Sequence, residues 1–116
     1  MAVLAGATAS GRQFATGYVG TTSSTIYTAP AASVNVTSPS ATAYVKEIIM
    51  CNVTANAAII TISVNSTPII NALSIPANDT KILSGLNTMI PAGGTITAVQ
   101  GTTNAISLII SGVEVQ

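Results

Sequence analysis

The sequence has no histidine, no tryptophan, a single cysteine and very little charge. Three basic and three acidic residues sum to zero and make up 5% of the chain, against roughly 25% in an average soluble domain. Each absence excludes a class of function. Without histidine, no Ser–His or Cys–His nucleophile pair can be built. A zinc centre needs a cluster of Cys and His, and Cys51 stands alone. Hydrolysis by paired carboxylates needs two acids in one cleft. Only Glu47, Asp79 and Glu114 are present, and Asp79 falls beside Asn78 in a predicted turn. That pair reads as turn chemistry rather than as part of a calcium site, which takes six or more oxygens. No glycine-rich phosphate loop joins a strand to a helix. The chain therefore reads as a non-enzyme with no cofactor.

The same scarcity of charge limits the partners. Arg12, Lys46 and Lys81 are scattered, whereas nucleic-acid binding needs several cations near phosphates. The longest apolar stretch, residues 57–64, is far below the ~18 residues of a membrane helix. The opening Met1-Ala2-Val3-Leu4-Ala5-Gly6-Ala7 lacks the basic residues that precede the apolar run of a secretory leader. A lone cysteine also suits a reducing compartment, so synthesis in a cytoplasm is expected. Cys51 itself lies in an apolar strand pattern, where cysteine acts as a small buried hydrophobe. Asn-x-Ser/Thr patterns at Asn35, Asn52, Asn65 and Asn78 are then chance products of a Ser- and Thr-rich chain rather than glycan sites.

What the chain does have is aliphatic mass. Hydrophobic residues make up 48% and mean hydropathy is +0.63, yet aromatics are only 3%. Ile, Val, Ala and Leu supply the core, and Ser, Thr and Asn supply the polar surface. A neutral chain of this kind tends to associate. It suits a subunit whose surface is covered by copies of itself or by other proteins.

The pattern is all β. Residues 44–53 form the strongest strand, apolar on both faces, with Ile48 and Met50 on one side and Ile49 and Cys51 on the other. Strands buried on both faces read this way. One face would line the core and the other a subunit interface; Ile48 and Met50 are candidate assembly contacts. Residues 57–64 alternate, with Ala58, Ile60, Ile62 and Val64 on one face. Asn65-Ser66 marks a turn, and Pro68 an edge or strand start. Ile75-Pro76-Ala77-Asn78-Asp79-Thr80 is echoed by Ile90-Pro91-Ala92-Gly93-Gly94-Thr95. Both are turns leading into strands. A final hairpin is expected to pair residues 95–100 with 105–115, with Ile106, Leu108 and Ile110 sharing a face. Residues 31–42 read as a loop, with room for a short strand at 33–37. Seven or eight short strands without a helical stripe predict an antiparallel β-sandwich, jelly-roll or immunoglobulin-like, over residues 25–116. Residues 1–24 read as an extended N-terminal arm whose Phe14 and Tyr18 anchor it to a neighbour.

Five segments carry a resemblance. They are Ile26-Tyr27-Thr28-Ala29-Pro30, Val45-Lys46-Glu47-Ile48-Ile49-Met50-Cys51-Asn52, Ile75-Pro76-Ala77-Asn78-Asp79-Thr80, Ile90-Pro91-Ala92-Gly93-Gly94-Thr95-Ile96 and Ser111-Gly112-Val113-Glu114-Val115. This punctuation resembles small virion accessory proteins of tailed bacteriophages. The resemblance implies a capsid decoration, or cement, protein: a homotrimer that packs against the major capsid protein and resides in the virion. The alternative is a tail, neck or head-fibre accessory, or a host-surface binding module. The paucity of aromatics counts against a sugar-binding site.

Overall fold

The computed structural model describes residues 9–30 and 43–115. The loop expected at 31–42, with its short strand, lies outside the described residues. The strands are β1 (Ala9–Tyr18), β2 (Ser24–Thr28), β3 (Ala43–Asn52), β4 (Ala58–Val64), β5 (Thr67–Ile75), β6 (Thr80–Leu83), β7 (Thr88–Ile90), β8 (Thr95–Gln100) and β9 (Ile106–Val115). Among the described residues there is no helix. The strands form two antiparallel sheets, and the all-β sandwich read from the sequence is what the chain adopts.

The pairing is nested. β4 pairs β5, β3 pairs β6 and β7, β2 pairs β8, and β1 pairs β9. The chain is thus one long hairpin, wound so that its lanes alternate between sheets. The first sheet runs β1-β9-β3, with β6 and β7 sharing the lane beyond β3; the second runs β2-β8-β4-β5. This is the jelly-roll order, which decides between the two sandwich topologies. The tip of the long hairpin is Asn65-Ser66, whose φ values of 49° and 68° make the two-residue turn that matches strand twist.

Nesting overturns the expected hairpin of residues 95–100 with 105–115. β8 and β9 lie in different sheets, so the loop between them crosses from one to the other. Alternation alone cannot distinguish a hairpin from a crossing. The crossing is held by Gln100, which is buried. Its side-chain amide donates to the carbonyls of Val19 and Ile106, and its Oε1 accepts from the Ile106 amide at 2.7 Å. The two Ile-Pro-Ala turns also carry the chain between sheets. Asn78 in the first and Gly93 in the second adopt positive φ, as their turn chemistry predicted.

The domain boundary at residue 24 also requires correction. Residues 9–18 are not an arm but a ten-residue strand laddered along β9. Phe14 sits at the bulge between Gln13 and Ala15, turned into the core, and stacks on Tyr27 of the second sheet with ring centroids 4.3 Å apart. Gly11 and Gly17 break the apolar alternation of this strand, which made it unreadable. The core it closes holds Ile48, Met50, Ile106, Leu108 and Ile110 from the first sheet, facing Ile60, Ile62, Ile96 and Ala98 from the second.

Candidate functional site

The outer sides of the two sheets differ in chemistry. Register places Thr16, Ile109, Ile49 and Ile82 in one row across the first sheet. A second row runs Tyr18, Ser107, Cys51, Thr80, and a third Gly11, Val113, Tyr44, Met89. Ile82 is 58% exposed, Tyr18 55% and Met89 49%, and Ile109 is also open. Ile49, Cys51, Tyr44 and Val113 are half-buried beside them. The second sheet instead presents Thr25, Thr97 and Ser63 in one row and Thr61 beside Val99 in the next, with Ile59 and Ile69 as its exposed large apolar side chains. One sheet is sticky and the other is hydroxylated.

Charge on the first sheet's outer side is confined to Lys46 and Glu47. Lys46 occupies the β3 bulge between Val45 and Glu47. Its Nζ lies 5.8 Å from the Tyr44 ring centroid and donates to Asn87 Oδ1 at 2.5 Å. The bulge also explains why β6 and β7 are separate strands. The lane shared by β6 and β7 opens opposite it, and Leu86 donates its amide to the Lys46 carbonyl at 3.1 Å.

The four candidate assembly residues fall in different places. Tyr18 is exposed on the apolar outer face. Phe14, Ile48 and Met50 are buried in the chain's own core, with Met50 fully inaccessible, so none of the three is free to meet a neighbour. The β3 bulge is the physical reason for the reversal of Ile48 and Met50. Val45 points inward, and strict alternation from it would turn Ile49 and Cys51 inward too. The extra residue at Lys46 shifts the phase by one, so Ile48 and Met50 take the core and Ile49 and Cys51 the surface.

Two polar clusters hold this scaffold. Asn52 is fully buried. Its amide nitrogen donates to the carbonyls of Asn56 and Ile75, and its Oδ1 accepts from the Thr54 amide and hydroxyl. The second cluster joins the sheets. Glu114 of β9 accepts from Arg12 Nε of β1 at 2.8 Å and from the Tyr27 hydroxyl of β2 at 2.5 Å. Burial alone would raise the Glu114 carboxyl. The hydrogen bonds from Tyr27 and Arg12, with the Arg12 charge, outweigh it and hold the group below its ordinary 4.5. Burial pushes the Tyr27 phenol well above its ordinary 10.0; the bond to Glu114 and its charge add to this, and Arg12 opposes it. With both carboxylate oxygens engaged, Glu114 is a staple between layers.

This staple predicts a stability profile that falls at both ends. Glu114 binds its proton more weakly when folded, so its contribution is complete above its unfolded value and is lost as pH falls below about 4.5. Tyr27 holds its proton more tightly when folded, so its contribution is complete below about 10 and is lost as pH rises beyond it. Glu114→Gln is expected to lower stability near neutral pH by about 2 kcal/mol, the scale of a charge-assisted bond. It should also flatten the acid limb. Urea titrations between about pH 3 and pH 8 check this, and an acid limb unchanged in the variant would remove Glu114 from the account.

Among the described residues, no three His, Cys, Asp or Glu side chains gather as metal ligands would. No protein-family model, curated protein or solved structure matches the chain. The signals that sequence reasoning passed over were Gln100 and Glu114, polar residues set in strands at positions that alternate inward, where an unpartnered polar group would be costly.

Proposed function

We propose that this chain is a structural assembly subunit that catalyses no reaction, and that it serves as a virion accessory protein of a tailed bacteriophage, most specifically a capsid decoration protein. The carrying observation is the one-sided outer surface: an apolar, nearly uncharged face on the first sheet and a hydroxylated face on the second. Contiguous exposed apolar area on a soluble chain marks a protein-contact site. The neutral hydroxylated face opposite it lies outside that contact. The resemblance in the turn segments supplies the virion context. The jelly-roll topology is compatible with it by analogy, since capsid subunits and lectins share that architecture. Both surface tyrosines, Tyr18 and Tyr44, lie on the apolar outer side of the first sheet, and none lies among the Thr and Ser rows of the second, which favours assembly over sugar binding there.

The test uses purified phage shells lacking the protein. Added full-length chain should co-sediment with them to a fixed number of copies per shell and raise the temperature at which the shells rupture. Co-sedimentation with tails alone would move the assignment to a tail or neck accessory. Binding to neither would reject the virion reading.

A further inference from the structure

The apolar face raises the question of what covers it. Resting on the assembly reading above, we propose that a second copy of this chain docks on the outer side of the first sheet, face to face, about a two-fold axis that sets Lys46 of one copy against Glu47 of the other. Three observations carry this. The first is area. Four lanes about 4.8 Å apart, along ten-residue strands rising about 3.3 Å per residue, make a face on the order of 600 Å² in projection. With side-chain relief this approaches the roughly 800 Å² per partner of a stable specific interface.

The second is charge. Lys46 and Glu47 are adjacent on β3, opposite in sign, and the two charges of that outer side. A surface with one charge of each sign side by side is complementary to its own image after a half-turn. The Ile109, Ile49 and Ile82 row then meets the Val113, Tyr44 and Met89 row of the other copy. The third is closure. A subunit with one sticky face pairs once and stops, because an isologous contact uses the same patch on both sides. The hydroxylated second sheet cannot continue the stack. A self-complementary face of this kind closes on two copies, rather than the three that the resemblance implies.

The experiment measures mass by light scattering behind size exclusion at about ten micromolar, on the scale of ordinary specific affinities. The full-length chain should run at twice its 11.5 kDa mass. Ile82→Glu and Ile109→Glu place carboxylates at exposed positions, so folding is retained. Each should weaken pairing by about 100-fold or more, the scale of an interface centre. Ile59→Glu on the second sheet should leave the pair intact. Lys46→Glu should weaken pairing through like charges, and adding Glu47→Lys should restore it. The Cys51 thiol, half-buried in the face, should react with a soluble disulfide reagent faster in Ile109→Glu than in the full-length parent. A monomeric parent, a trimer, or a pair indifferent to Ile82→Glu and Ile109→Glu each overturns the proposal. A monomer that still coats shells would reject self-docking while sparing the virion role. A pair that ignores shells would do the reverse.

Discussion

A chain beginning at Thr25 is expected not to fold. Removing the preceding residues deletes β1, and with it the whole ladder along β9 from Ala9↔Val115 to Tyr18↔Ser107. Phe14 leaves the core, where it is 7% exposed and stacked on Tyr27. Loss of a buried phenylalanine alone costs about 3–5 kcal/mol. Glu114 loses the Arg12 cation, and Gln100 loses the Val19 carbonyl that its amide holds. These losses together reach the total stability of a domain this size, about 5–15 kcal/mol. The measurement is near-ultraviolet circular dichroism with a urea titration. The truncated chain should show no cooperative transition. A transition like that of the full chain would mean that β1 is an appendage after all, as the composition of residues 1–24 suggested.

The elements that were legible in the sequence share one property: their side-chain period is unbroken. Residues 57–64 alternate cleanly, and the buried set Ala58, Ile60, Ile62 and Val64 is the one the alternation names. The same holds for Ile106, Leu108 and Ile110. Where a bulge inserts a residue, period-two reasoning fails downstream of it, because every later side chain changes face. The bulge at Lys46 moved the core assignment in β3 from Ile49 to Ile48, and the bulge at Phe14 helped disguise β1 as an arm. β5 does not alternate along its length for a related reason. Ala72 takes a φ of 49° within the strand, and its amide turns to the Thr61 hydroxyl at 3.0 Å.

Long-range pairing was illegible for a different reason. Turn residues say where a chain reverses or crosses, not which lane it joins. The Asn65-Ser66 turn joins adjacent lanes of one sheet, whereas Gly101-Thr102-Thr103-Asn104 spans two sheets, although both are small and polar. The apolar outer face is a product of register. Ile49, Ile82 and Ile109 are 27 or more residues apart in sequence from one to the next and meet only because β3 sits between β9 and β6. Composition indicated that such a face should exist, through high hydropathy with little charge. It could not say which side chains compose it.

Gly112→Ala is expected to destabilise the chain by at least about 3 kcal/mol, at the upper end of overpacking effects. Gly112 lies in β9 opposite Arg12 of β1 and Val45 of β3, at the step opposite the β3 bulge and one residue before the step opposite the β1 bulge. A Cβ built there would stand 1.9 Å from the Tyr44 carbonyl oxygen and 2.9 Å from Phe14 Cε2. The first of these is backbone in the β3–β9 ladder, so no rotamer change relieves it. The sheet must part locally, and the stack of Phe14 on Tyr27 must shift with it. An isolated glycine inside an apolar strand pattern signals such a close approach. Gly11→Ala is the matched control. It lies in β1 opposite Val113, with nothing within 4 Å of the added methyl. There the substitution should be neutral or slightly stabilising, since alanine narrows the unfolded ensemble. Thermal melts of the two variants should therefore differ by roughly 10 °C or more, given the ~2–8 °C that each kcal/mol moves the midpoint of domains near this size. If Gly112→Ala melted with Gly11→Ala, β9 would not approach the Tyr44 carbonyl as closely as the structure places it.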